Sequence, residues 1–133
     1  MNILVIDAQG GGIGRQLVSA IKDSFIKATV TAVGTNTVAT SAMLKAGADN
    51  AATGENAVVV NARKADVIIG PIGIVIADAL LGEITPIMAK AVAQSDAKRI
   101  LIPINHCDNI VVGVDDLNIG KLIQDVIVQL KSI

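Results

Sequence analysis

The chain opens on an unbroken apolar run, Ile3-Leu4-Val5-Ile6, closed by Asp7 and followed three residues later by Gly10-Gly11-Gly12-Ile13-Gly14. A short Ile/Leu/Val run without polar alternation suits a strand buried on both faces, the habit of parallel sheets. Beyond the glycines, Ile13, Leu17, Ile21 and Phe25 recur at helical spacing, which predicts a helix over about 12–24. Strand, glycine turn and helix together make the first unit of an α/β layer structure, and a parallel partner strand must then be reached by a crossover.

The remaining punctuation repeats that plan. Residues 29–34 read as a second strand. Thr35-Asn36-Thr37 supplies an N-cap for a helix reaching about Lys45, with Val38, Ala42 and Met43 inward, and Gly47 ends it. A short strand fits within 48–53, and Thr53-Gly54-Glu55-Asn56 starts a helix to Lys64. Residues 66–70 form a buried strand stopped by Gly70-Pro71, and 72–81 is apolar all round, a buried helix or turn. Thr85-Pro86 is a helix start, with Ile87, Met88, Ala91 and Val92 on the inner face. Residues 99–104 read as a strand, 105–109 as a turn and 110–114 as its hairpin partner. Asp115 or Asp116 caps a last helix that buries Ile119, Ile123, Val126, Ile127 and Leu130. The expectation is one Rossmann-like α/β domain over residues 1–133, a mainly parallel sheet with helices on both faces, ending in a β-hairpin and a helix.

The glycine-rich turn carries the chemistry. Glycine lets backbone approach a ligand closely. A helix start offers unpaired N–H groups and roughly half a unit of positive charge, so the two together make an anion site. The spacing is not the dinucleotide fingerprint G-x-G-x-x-G: Gly10 and Gly12 fit its first two positions and Arg15 stands at the third. The short-chain dehydrogenase spacing G-x-x-x-G-x-G is met by Gly12 and Gly14, with Ala8 in place of its first glycine. The chain has no Tyr, so the tyrosine–lysine chemistry of those enzymes does not come with the spacing. A corrinoid pattern, Asp-x-His-x-x-Gly, is matched by Asp7 and Gly12, but Gln9 stands where the cobalt-ligating His belongs.

The candidate binding residues are Asp7, Gln9, Gly10, Gly11, Gly12, Ile13 and Gly14 in the first loop, Thr35 and Asn36 after the second strand, and Gly70 and Pro71 after the fourth. All fall at the carboxyl ends of strands, where open α/β sheets bind ligands. Neutral groups at Thr35 and Asn36 could bond a ribose or a 2′-phosphate, or serve only as caps. Arg15 could cover a phosphate or face solvent. Glu55 is the acid or base to test, and Glu83 belongs to the approach of a helix. His106, Cys107 and Asp108 share one turn, but one His and one Cys in the whole chain fall short of the four ligands of a structural zinc. No metal site is expected, and no catalytic residue is assigned.

Composition narrows the partners. Eleven basic against 12 acidic residues give a formal net charge of −1, which offers no basic excess for a nucleic-acid backbone. No apolar run approaches the ~20 residues of a membrane span, and one Cys with no signal-like N-terminus fits the cytoplasm. The 52% hydrophobic content leads us to expect a homodimer or a larger homo-oligomer.

The runs from Asp7 to Gly14, Gly34-Thr35-Asn36, Ala39 to Ala48, Thr53-Gly54-Glu55-Asn56 and Gly70-Pro71-Ile72-Gly73 closely resemble a family of small bacterial proteins known only as a domain of unknown function. The resemblance covers nearly the whole length. It implies a Rossmann-like domain and leaves substrate and reaction open. The residues favour binding of a nucleotide-type cofactor, NAD(P) or a related phosphate-containing ligand, with a small oxidoreductase subunit as the enzyme form of that reading. The alternatives are a non-enzymatic ligand-sensing or regulatory module for a phosphorylated metabolite and, further off, a corrinoid-binding domain.

Overall fold

A computed structural model of the chain describes residues 1–104, 108–114 and 118–133. Five strands and five helices alternate: β1 (Asn2–Asp7), α1 (Gly12–Ser24), β2 (Thr29–Gly34), α2 (Thr37–Lys45), β3 (Asn50–Thr53), α3 (Glu55–Lys64), β4 (Val67–Pro71), α4 (Pro86–Gln94), β5 (Lys98–Ile102) and α5 (Ile119–Lys131), with a 3-10 turn at Ile72–Val75. The sheet runs β3-β2-β1-β4-β5, and every pairing is parallel. This is the Rossmann order without its sixth strand, and the order reverses between β1 and β4.

The apolar run of β1 divides between two cores. Ile3 and Val5 face α1, α2 and α5, where Leu17, Ile21, Met43, Ile123 and Leu130 meet them. Leu4 and Ile6 face α3 and α4 among Val58, Ala62, Ile74, Ile84 and Met88. Each face buries large aliphatic side chains at about 1.5–3 kcal/mol apiece, which fixes the helices over the sheet and leaves the loops at its carboxyl edge for other work.

The local start signals hold. The Asn36 side chain accepts from Ala39 N at 2.9 Å, and Thr85 Oγ1 accepts from Met88 N at 3.1 Å ahead of Pro86. Thr85→Ala should therefore cost about 1 kcal/mol, read as a shift in the urea midpoint with an unchanged slope. Met43, Met88 and Val92 face inward as expected, but the first apolar residue expected on the inner face of α2 and of α4 does not. Val38 and Ile87 are 64% and 57% exposed, while Ala39 and Ala89 are buried. Small residues there let the helices lie close on the sheet and on their neighbours.

The expected C-terminal hairpin does not form. Residues 110–114 make no strand. Gly113 takes a left-handed φ of +89°, Val114 N–H donates to the Val111 carbonyl at 3.4 Å, and Ile110 and Val112 stay solvent-exposed. Asp115 and Asp116, expected to cap the last helix, lie outside the described residues, and the cap is Asn118, whose Oδ1 accepts from Lys121 N at 3.0 Å. The segment 72–81 is the 3-10 turn followed by an irregular strap. Gly73 and Ile74 are buried, but Leu81 is 95% exposed. Among the described residues no helix is long and apolar enough to cross a membrane.

Candidate functional site

β1 is the central strand, and the chain leaves it through a turn in which Gly11 N–H donates to the Ala8 carbonyl at 3.1 Å. The four glycines of this turn divide into two kinds. Gly11 has φ +72°, and a Cβ there would lie 2.7 Å from Ala39 Cα and 3.0 Å from the Ala39 carbonyl oxygen. A Cβ on Gly14 would lie 2.6 Å from Met43 Sδ and 2.8 Å from Asp7 Cβ. Both are demanded by the close approach of α2 and β1. Gly10 and Gly12 have neither constraint: their φ is not positive, and nothing lies within 4 Å of where a Cβ would be.

Asp7 ends β1 and is buried, 5% exposed. Its carboxylate accepts from Ala8 N at 2.8 Å and from Gly14 N at 2.6 Å. Gly14 is the third residue of α1, so one of the helix's orphan donors is satisfied from inside the protein. The amides of Gly12 and Ile13 take no partner among the described residues. Burial raises the Asp7 carboxyl above its ordinary value; the bonds from Gly14 and Ala8 oppose the rise, and the nearby Glu83 charge adds to it.

Glu83 is the residue that sequence reasoning missed. Its Oε1 accepts from Gln9 N at 2.9 Å, Thr35 Oγ1 at 2.6 Å and Asn36 Nδ2 at 2.8 Å. Asn36 Nδ2 also donates to the Gln9 carbonyl at 3.0 Å. Burial pushes the Glu83 carboxyl up, but the three hydrogen bonds from Thr35, Gln9 and Asn36 together outweigh it and leave it below its ordinary value. Local sequence holds no sign of this, because the donors stand 48, 74 and 47 positions away. The strap that delivers Glu83 is strained. Asp78, Leu80 and Leu81 have φ of +65°, +57° and +59°, and Gly82 continues at +88°. A non-glycine residue in that region costs roughly 1–2 kcal/mol.

Between the β1 and β4 loops, where the strand order reverses, lies a cavity of about 150 Å³ lined by residues 7–13 with Pro71 and Leu80. Larger hollows sit on the helical faces: one of about 350 Å³ between α3 and strands β1–β3, one of about 590 Å³ between α1, α2 and α5. We favour the small one, since it alone of these holds the loop amides. The structure thus gathers Asp7, Gln9, Gly10, Gly11, Gly12, Ile13 and Pro71 around one cavity, and sets Thr35 and Asn36 beside it, joined through Glu83. Gly14 and Gly70 serve packing; a Cβ on Gly70 would strike the Ile6 carbonyl oxygen. Arg15 lines the α1–α2–α5 hollow, and Glu55 starts α3 away from the cavity lining. His106 and Cys107 lie outside the described residues. Among the described residues, no group of three or more His, Cys, Asp or Glu could hold a metal ion.

The family model for a domain of unknown function (DUF3842) matches residues 2–133. The chain belongs to the DUF3842 family. No curated protein matches it. Among solved structures it is similar to a dodecameric FMN-dependent Ubix-like decarboxylase from Escherichia coli O157:H7, at 16% identity and a TM-score of 0.48, over 98% of this chain and 76% of that one. In this DUF3842 chain the site presents amide and hydroxyl donors beside two carboxylates, neither of which joins an ion pair among the described residues. That is chemistry for holding and orienting a ligand.

Proposed function

We propose that the chain binds a small nucleotide-type ligand through a phosphate seated over Gly10 and Gly12, with the Gly12 and Ile13 amides as donors. The observation that carries this reading is the absence of any packing or backbone demand for glycine at those two positions. A bare backbone is useful there to something that approaches from outside, and an anion at the first turn of α1 gains both unpaired donors and the helix dipole. The strand order places this point where α/β sheets take dinucleotides, so NAD(P) or a related nucleotide is the finer expectation. The 150 Å³ cavity has room for a phosphate group, and a whole nucleotide would extend across the strap. The Glu83 contact, which such a ligand would rearrange, favours a ligand-sensing module over an oxidoreductase subunit. Self-association of the chain, the other part of this reading, is checked by its mass in solution.

Gly12→Ala tests the ligand. Stability should hold or rise by up to about 1 kcal/mol, because Ala is the better helix residue. Affinity for NAD(P) or ADP, followed by calorimetry, should fall by about tenfold or more, since roughly 1.4 kcal/mol of lost contact has that effect. Equal affinity in the variant and the native chain would remove the phosphate from this loop. A protein purified gently without added cofactor gives an earlier hint. With no Trp or Tyr the chain is nearly silent where a retained nucleobase absorbs.

A further inference from the structure

Three donors from two loops converge on a single oxygen: the Gln9 amide after β1, and the Thr35 hydroxyl and Asn36 side-chain amide in the connection from β2 to α2. We propose that these three groups form an anion subsite of their own, occupied in this structure by the chain's own Glu83 carboxylate, and that an anionic oxygen of the ligand takes Glu83's place. The proposal rests on the phosphate reading of the glycine loop and extends the site from there to the end of β2.

Several features favour an occupant that can leave over a fixed tether. All three bonds fall on Oε1, and Oε2 takes no partner among the described residues. Charge is unbalanced, since no Lys or Arg pairs with Glu83 among the described residues, and Asp7 adds a like charge nearby. A further anion would be repelled by both carboxylates, whereas one that takes Glu83's place meets Asp7 alone at close range, because the departing side chain carries its own charge away. The strap can release it. Its neck is closed by Asp78 N–H to the Ile84 carbonyl at 2.7 Å and Ile84 N–H to the Ala79 carbonyl at 3.2 Å, and Ile84 is fully buried. The tip, with Leu81 in solvent and Leu80 to Gly82 in left-handed backbone, is the part under strain. Within the tip Gly82 N–H donates to the Asp78 carbonyl and Glu83 N–H to the Leu80 carbonyl, both at 3.2 Å, and Leu80 is buried; the Glu83 side chain can therefore leave its donors by rotation about its own bonds with the strap backbone in place.

The test follows the amide signals of Gln9 and the side-chain amide of Asn36 by nitrogen-edited NMR while inorganic phosphate, and separately acetate, is added to the native chain, Glu83→Ala and Glu83→Gln. With the carboxylate gone in Glu83→Ala, at least one of the two anions should shift both signals and saturate at a concentration tenfold or more below that for the native chain. Glu83→Gln keeps the shape of the latch without its charge and should fall between them, which guards against a strap that has merely come apart. If neither anion moves Gln9 and Asn36 in folded Glu83→Ala, or if the native chain binds as tightly, the subsite does not exist. If phosphate then shifts Gly12 and Ile13 alone, the glycine-loop reading stands and only this extension fails.

Discussion

Gly11→Ala should lower the free energy of unfolding by about 3 kcal/mol, while Gly12→Ala should not lower it at all. Two independent costs meet at Gly11. Its φ of +72° asks an Ala to adopt left-handed backbone, at roughly 1–2 kcal/mol. The new Cβ would also fall 2.7 Å from Ala39 Cα. That atom belongs to the backbone of α2, which cannot turn aside as a side chain can, so overpacking adds roughly 1–3 kcal/mol. Gly14→Ala should come between the two: its φ is ordinary, and its Cβ would meet side-chain atoms, Met43 Sδ at 2.6 Å and Asp7 Cβ at 2.8 Å, and not the backbone of a neighbouring helix. Against a total stability of about 5–15 kcal/mol, the order Gly11, Gly14, Gly12 should be plain from urea midpoints. A Gly11→Ala protein as stable as the native chain would mean that α2 does not approach the turn this closely.

The same contrast shows what the sequence could and could not convey. Apolar runs and caps are local signals. Ile3 to Ile6, the Asn36 cap and Thr85-Pro86 therefore placed their elements correctly. The glycine run was legible as a run, but its division was not, because what separates Gly11 from Gly12 is the position of Ala39 on another helix. Glu83 does lie on the approach to a helix, as its sequence position suggests, but its contacts were not legible for the same reason: its donors are brought together by the β3-β2-β1-β4-β5 order, which no window of sequence contains. The hairpin failed differently. Residues 110–114, Ile-Val-Val-Gly-Val, have the β-branched composition of a strand, but composition does not by itself secure a partner, and here Gly113 turns into left-handed backbone while Ile110 and Val112 remain in water.

Removal of the Asp7 carboxylate should also be costly. Asp7→Ala would leave the Ala8 and Gly14 amides without their acceptor in a buried setting, and each orphaned donor costs about 1–3 kcal/mol. Relief of a desolvated charge offsets part of this, so the net loss at neutral pH should be about 3 kcal/mol. The dependence on pH separates the two opposing effects. The Asp7 carboxyl is raised in the folded chain above its ordinary 3.8, so the folded state holds the proton more tightly than the unfolded one. Near pH 3.8 and below, its burial carries no charge penalty; as pH climbs through the raised value, the penalty grows and stability declines. Glu83 slopes the other way. Its folded value lies below its ordinary 4.5, so its contribution is present above that pH and is lost as pH falls through the lowered value. Urea denaturation of the native chain, Asp7→Asn and Glu83→Gln between about pH 4 and about pH 8 should show the stability advantage of native over Asp7→Asn shrinking as pH rises. The advantage of native over Glu83→Gln should instead shrink only toward the acid end. Parallel curves for all three proteins would mean that neither carboxylate feels the environment this site gives it.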